Sequence, residues 1–541
     1  MLGAVGLALL VAGVAFRLWD RMVEDRLARW AVSEVDRRTG GAYRLVLGDL
    51  SFLPFAGSIG FDSAVVVTDS ARNRRRAEPL PALVWRAHRC RVSGLDVVRL
   101  VFRKAFAARA LGCERVTTGL ALRPPAPKAD GAAPDSAESA EAVEELARPL
   151  GLTAVEVADI AFPALSLTLE RPGADGGTSV LLEHARLEVK RLVFRPTADS
   201  GVGRTLSAER ARLSATGLVL RTDSLTEIAV AVAEAELTDS TLRLAGARHE
   251  PSVPEDEWVR QVRVRRDRIR FELDSLHARG VAYLAFITTG DIGIRTLELR
   301  GARLDVLTDK RIPRGPLSRF RSPQQLAAGT GSALRLDSVL VSGGSIVYRE
   351  REPVRERPGR VSFDALRATV LDLHLPSRGR PLRISARARL MNEGALAAEA
   401  VVPLDAPDFR YEFSGTLGGM PAPAFNRFLS ENEAFEIGEG VVDGIAFRQT
   451  VRAGRAVTTV TPRYRELSVK PTGDGGGVFG SLKRAVKKFV ANAFVVRSRN
   501  PGEDGEDLRT GRVVSRYVPT LTWVQFLWFG LRDGLNEAMR E

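Results

Sequence analysis

Most of this chain alternates apolar and polar residues one by one, and that period of two limits its fold more than any other feature. Successive side chains on a strand point to opposite faces, so alternation produces one apolar and one polar face. Residues 43–50 (YRLVLGDL), 59–69 (IGFDSAVVVTD), 213–223 (LSATGLVLRTD) and 235–245 (AELTDSTLRLA) show the pattern, as do 294–308, 334–348, 361–375 and 382–390. Residues 92–98 (VSGLDVV) and 116–122 (VTTGLAL) follow it too. Each run is interrupted by Gly, Asp-Ser or Pro and then resumes. The interval varies, so this is one strand–turn–strand theme used many times and not a countable solenoid repeat. The apolar face is mostly Leu, Val, Ile and Ala, since aromatics are only 6% of the chain. One face of an antiparallel sheet tolerates water, but the other must be covered. The sheet therefore packs as a sandwich, closes as a barrel, or curls into a trough whose inner face is open to an apolar ligand. A packed array without ligand and a ligand-holding trough both fit the alternation.

The N-terminus has a different character. Residues 2–16 (LGAVGLALLVAGVAF) carry no charge. A spanning helix needs roughly 20 apolar residues, and this run approaches that length if Arg17 snorkels and Trp19 sits at the interface. The expectation is a retained signal anchor over residues 1–19, with Leu7, Leu9, Leu10, Val11, Val14 and Phe16 in the membrane and Trp19 at its edge. A cleaved signal peptide, cut near the small residues 12–15 (AGVA), is the alternative, and a core or amphipathic helix a third. The absence of a basic stretch ahead of the apolar run argues against cleavage. Leu18, Met22, Leu27, Trp30, Val32 and Val35 then recur at near-helical spacing, and Thr39-Gly40-Gly41 stops that helix.

Further breaks divide the remainder. Residues 124–141 (PPAPKADGAAPDSAESAE) form a flexible insertion, followed by a short helical stretch to 150. Residues 248–267 are a charged loop with a polar helix or edge, 309–327 a Pro/Arg-rich loop, and 421–431 a short helix. Residues 481–500 (SLKRAVKKFVANAFVVRSRN) hold six basic residues and no acid. Leu482, Ala485, Val486, Phe489, Val490 and Ala493 fall on one helical face, opposite Lys483, Arg484, Lys487 and Lys488. That pattern suits a helix lying on an anionic membrane, and equally one covering a sheet end. The apolar run at 521–531 is too short to span and is expected to pack as a terminal helix. The chain thus reads as an anchor (1–19), an amphipathic helix (20–40), an N-terminal β region (41–123), the insertion (124–150), a repetitive β body (151–470) and a C-terminal segment (471–541).

Catalytic signatures are missing. There is no phosphate-binding Gly-Lys-Ser/Thr loop, no dinucleotide fingerprint and no G-x-S-x-G elbow. His88, His184, His249, His277 and His374 are too far apart in sequence for a local metal motif. No cofactor, no metal and no enzymatic activity are expected. The net charge is +13, and 71 of the 79 basic residues are Arg. A GC-rich genome produces that bias unaided, while anionic lipid or nucleic acid would also suit it. The arginines are spread evenly and no stacking aromatics accompany them, so no nucleic acid partner is expected. If the body lies in an oxidising compartment, Cys90 and Cys113 can form a disulfide; two unpaired, half-buried thiols fit the sequence as well.

Several stretches together resemble AsmA-like bacterial envelope proteins of the AsmA, TamB and YhdP group. These are the anchor and helix ending at Thr39-Gly40, the run 44–50 (RLVLGDL), strands of the 59–69 type, 309–313 (DKRIP) and 344–350 (GSIVYRE). The closing segments 489–501 (FVANAFVVRSRNP), 514–519 (VSRYVP) and 528–534 (WFGLRDG) belong with them. The resemblance implies a single-pass protein of the inner membrane of a diderm bacterium, with its bulk in the periplasm. It implies a mainly β fold: a membrane helix, then an elongated, curled, groove-like antiparallel sheet with a few short helices and a C-terminal amphipathic helix. It implies phospholipid as ligand, with a role in moving phospholipid between envelope membranes and supporting outer-membrane biogenesis. A structural or assembly factor that docks other envelope proteins without lipid is the alternative.

Overall fold

The computed structural model describes residues 24–121, 153–171, 178–195, 206–221, 225–471 and 497–540, less 27, 38, 54–55, 77–81, 284, 287–290, 316–318, 330–332, 378, 434 and 503–505. The expected anchor with Leu7, Leu9, Leu10, Val11, Val14, Phe16 and Trp19, the insertion, and Lys483, Arg484, Lys487 and Lys488 lie outside them. No helix among the described residues is long and apolar enough to cross a membrane. Strand is the dominant element, as the alternation requires. The chain divides into two compact units, Met1–Ala245 with Val281–Gly290, and Gly246–Gly280 with Asp291–Glu541. The alternation runs through this boundary without marking it.

The first unit opens with helix α1 (residues 24–39), which ends where Gly40 and Gly41 take φ of +56° and +73°. Its strands are β1 (Tyr43–Leu47), β2 (Leu50–Leu53), β3 (Ser58–Thr68), β4 (Ala82–Ser93), β5 (Ala105–Ala121), β6 (Ala154–Arg171), β7 (Thr178–Phe194), β8 (Leu206–Ser207), β9 (Arg210–Arg221) and β10 (Thr226–Glu236). Two short helices connect them, α2 (Ser70–Arg74) capped by Asp69 and α3 (Val97–Arg103) capped by Asp96. Residues 97–98 thus belong to a helix and not to the alternating theme, because the Asp96 side chain satisfies the Arg99 amide and starts a helical turn. β1 and β2 both pair with β3, and β4 and β5 continue antiparallel. β7, β9 and β10 follow β6 in the same sense.

The sheet departs from the expected antiparallel arrangement at β5 and β6, which pair in parallel. The reason is the connection: the chain between them includes the whole 124–150 insertion, long enough to return to the starting end, as parallel pairing requires.

β11 (Thr241–Pro251) leads into the second unit, which holds α4 (Glu255–Gln261), β12 (Arg268–Arg279), β13 (Ile292–Arg300), β14 (Arg303–Asp309), α5 (Pro323–Ala328), β15 (Leu334–Arg351) and β16 (Gly359–Leu375). Then come β17 (Leu382–Leu390), β18 (Gly394–Val402), β19 (Tyr411–Leu417), β20 (Met420–Pro421), α6 (Asn426–Asn432), β21 (Phe435–Arg452), β22 (Arg455–Pro471), β23 (Gly511–Arg516) and α7 (Trp523–Met539). β13 and β14 are two halves of one strand line. Both pair antiparallel with β12 on one side and parallel with β15 on the other. They are parted at Gly301, whose φ is +63° and where a Cβ would lie 1.9 Å from the Asp274 carboxylate. These are the second set of parallel pairs, made possible by the long 310–333 crossover through α5.

In this unit helices cover part of the apolar face of the sheet. α7 packs on β21, β22 and β23, and α6 on β15, β16 and β21. Phe526 of α7 is buried with Val402, Leu404, Tyr411, Val451 and Ala456, and Phe409 and Tyr517 pack their rings against it. The expectation that 521–531 packs as a terminal helix agrees with this placement. α7 starts with a capping box, Thr522 with Gln525. It reaches the sheet through a stripe of small residues, Gly530, Gly534 and Ala538, all buried. Beneath Gly530 lies a buried polar chain: the Tyr411 hydroxyl donates to Gln449 Oε1, and Gln449 Nε2 donates to Thr458 Oγ1 at 2.7 Å.

Candidate functional site

The first unit differs in how its apolar face is finished. The registers line apolar side chains up across the sheet. One row runs Leu47, Ala64, Ala87, Val116, Leu165, Ala185, Ala215 and Ala233 from β1 to β10. The next runs Leu45, Val66, Trp85, Thr118, Leu167, Leu182, Leu218 and Val230. A third, toward the other strand ends, runs Phe52, Ile59, Val92, Leu111, Ile160, Val189 and Ala211. At about 4.8 Å between strands, a row across eight strands extends roughly 34 Å.

These rows stay on one face because strands switch parity together. Alternation reads Phe61 then Ala64, Cys90 then Ala87, Cys113 then Val116, and Phe162 then Leu165, and all of these but Ala64 share one apolar cluster with Trp85. The skipped residues include Arg89, at φ +47°, and Pro163, which sits where the β6–β7 register shifts. Proline has no ladder hydrogen to donate, so a bulge is where an interior strand accepts it.

Small residues such as Ala64, Ala87, Ala185 and Ala215 are buried, but Leu45, Val66, Trp85, Leu165, Leu167, Leu213, Leu218 and Leu220 are only half-buried. In this unit α3 packs on β5, and α1 is tied to β2 by the bond from the Phe52 amide to the Glu24 carboxylate. The opposite face carries the arginine excess as cross-strand ion pairs: Arg89–Glu114, Lys190–Asp159, Arg212–Glu236 and Arg221–Glu227. Such exposed pairs contribute at most about 1 kcal/mol each and chiefly keep that face wet.

Cys90 and Cys113 are register partners on β4 and β5 and are joined by a disulfide within the apolar face. Both are nearly inaccessible, at 3% and 6% exposed. Their sequence separation of 23 corresponds to a loop-closure contribution of about 3 kcal/mol. Replacing both by Ala is expected to lower the unfolding midpoint of the first unit, read by the fluorescence of neighbouring Trp85. Reductant should shift the parent protein to the same midpoint and leave the variant unmoved.

The second unit contains an ionic clasp that motif reasoning did not assign. It is built on Asp309-Lys310-Arg311-Ile312-Pro313. Asp309 is 2% exposed and takes Arg311 Nη2 at 2.7 Å, Arg311 Nε at 3.0 Å and the Arg311 amide at 3.0 Å. Burial alone would raise the Asp309 pKa, but these bonds and the nearby Arg351 outweigh it and hold it below the usual carboxylate range. Burial likewise opposes the charge on Lys310, yet ion pairs with Glu350 and Glu352 hold its pKa above the usual lysine value. Arg349 bridges Asp305 and Glu255, and Arg351 also reaches Glu255. Arg265 donates to the carbonyls of Lys310 and Ile312, and Ile312 is 1% exposed. The charges here are paired with one another, so the clasp holds the β14–β15 strand ends and α4 together. Among the described residues no group of three His, Cys, Asp or Glu is placed to hold a metal ion. The five histidines sit on five different strands, β4, β7, β11, β12 and β16.

Compared with known proteins, the chain matches no protein-family model and no curated protein. The functional reading therefore rests on the residues themselves, and the apolar face of the first unit is the candidate site.

Proposed function

We propose that the apolar face of the first unit holds phospholipid acyl chains, in a trough formed by its curled sheet, and that the chain is a non-enzymatic envelope protein of the AsmA-like type. In this reading residues 1–19 anchor it in the inner membrane of a diderm bacterium and its body stands in the periplasm. The observation that carries the proposal is the set of Leu, Val, Ile and Trp rows left half-buried across β1 to β10. Leaving such surface to water is unfavourable by about 25 cal/mol per Å2, and an acyl chain laid on it regains about 0.8 kcal/mol per methylene before ordering costs. No directed polar contact is needed, so sliding along a row costs little and no catalytic group takes part. A buried disulfide suits the oxidising periplasm. Transfer between membranes, in support of outer-membrane biogenesis, would follow from chains passing along the face.

The test uses the full chain in cells, with a photoreactive amino acid at Leu167 or Leu218 on the apolar face and at Arg186 on the charged face. Phospholipid adducts identified by mass spectrometry are expected from Leu167 and Leu218 and not from Arg186. Adducts to protein alone at Leu167 and Leu218 would sink the lipid reading and favour a docking factor for other envelope proteins.

A further inference from the structure

We propose that α3 is a second membrane contact, a short wedge that seats the lower end of the first unit's sheet on the same anionic phospholipid bilayer that receives the N-terminal segment. Val98 and Phe102 are 67% and 81% exposed, and Val97 is 38% exposed. Val98 and Phe102 are four residues apart, so they share one helical face. Phe102 is the most exposed of the large apolar side chains among the described residues. Directly after it, Arg103 and Lys104 are both exposed and make no ion pair with a described residue. Arg99, in contrast, is engaged by Asp96 and Glu156. An apolar face edged by two cations with no described partner matches the surface of an anionic bilayer: the rings and branched chains enter below the headgroups and the cations meet the phosphates.

What selects a bilayer as occupant is where the chain goes. The apolar run 2–16 leads into α1 at Glu24, and the Glu24 carboxylate accepts the Phe52 amide of β2 at 2.9 Å. Phe52 pairs with Ile59, and Leu53, itself 56% exposed, pairs with Ser58 at the start of β3. One residue earlier, the Gly57 carbonyl accepts the Leu95 amide at 2.8 Å, and Leu95 leads directly into α3. The entry from the N-terminal segment and α3 are therefore at the same end of the sheet. The other end of α1 is pinned far from there, by Asp36 to Arg72 of α2 and by the Thr39 carbonyl to Arg76. The helix runs up the sheet from the end that holds α3. If residues 1–19 enter a membrane, as the proposed function holds, α3 meets its surface.

The experiment uses the full chain, whose only two cysteines are paired, leaving no native thiol to react. Single cysteines at Val98→Cys, Phe102→Cys, Val11→Cys and Val46→Cys carry bimane. The protein is reconstituted in phosphatidylcholine–phosphatidylglycerol vesicles with bromine on the upper acyl carbons. Val46 is 54% exposed on β1, and its register partner Val65 lies seven residues up β3 from Ser58, about 23 Å away. Bromine is expected to quench most emission at Val11, Val98 and Phe102 and to leave Val46 unchanged. Adding Arg103→Glu and Lys104→Glu should reverse the quenching at Phe102. Quenching at Val98 and Phe102 no greater than at Val46 overturns the proposal. If Val11 is still quenched in that case, the anchor stands and only the wedge is lost. If Val11 is unquenched too, both readings fall.

Discussion

Gly530→Leu should release the C-terminal helix from the second unit. A Cβ at this position would lie 2.1 Å from Gln449 Nε2 and 2.8 Å from Thr458 Oγ1. Neither group can step aside cheaply. Gln449 and Thr458 are fully buried and bonded to each other, and the Tyr411 hydroxyl completes the chain. Leaving one such group unpaired costs about 1–3 kcal/mol. The alternative is for α7 to lift, which exposes Phe526 and Ala538 and opens the cluster around Val451 and Ala456. Either route is expected to cost at least about 3 kcal/mol. Two tryptophans, Trp523 and Trp528, lie on α7 itself, so their emission reports the release directly. The denaturation midpoint followed by that emission should fall sharply, and protease should cut within 523–539 under conditions that spare the parent protein. A midpoint unchanged from the parent would mean that α7 does not rest on this contact.

Asp309→Ala should weaken the same unit through its ionic clasp. The substitution takes the buried bidentate partner from Arg311, leaving it only Asp256 at 3.5 Å, and removes a counter-charge from Arg351, 3.7 Å away. Removing one partner of a buried pair typically costs about 3–5 kcal/mol, far more than the pair contributes over an apolar replacement. The effect carries a pH signature. Because the folded-state pKa of Asp309 is held below its ordinary value, its contribution is complete above the unfolded pKa of about 3.9 and is lost as pH falls through the folded value. The stability gap between parent and Asp309→Ala should be flat from pH 5 to neutrality and close below about pH 4. A gap that persists at low pH would assign the loss to packing and not to charge. Asp309→Asn keeps an acceptor for the Arg311 amide and should fall between the two.

The strand content was legible because alternation is a local property. Residues 43–47, 59–68 and 213–221 are strands, and the Gly40-Gly41 stop sits where α1 ends. The interruptions carried more than was read from them. Asp62-Ser63, Thr216-Gly217 and Gly343-Gly344 look like turns between short strands, yet each lies inside a single long strand. The signal was present: the apolar positions change parity across each of them. Parallel pairing was not legible, because it depends on which strand ends a long connection rejoins. The ionic clasp was invisible for a related reason. Glu255, Asp309 and Arg349 meet only after three separate segments are brought side by side. The exposed face of α3 was hidden by reading 92–98 as one more alternating run.

The shared parity switches also govern how this chain can change in length. Within a uniform strand, loss of one residue turns every following side chain to the wrong face. At Thr216-Gly217, or around Arg89, the alternation is already being reset, and neighbouring strands reset beside it. Insertions and deletions of one residue are therefore absorbed along these lines and rejected between them. Drift in sequence can erase residue identity at almost any position of the first sheet while the spacing between switches persists. Distant relatives of this chain are then better sought by the rhythm of its interruptions than by the residues that lie between them.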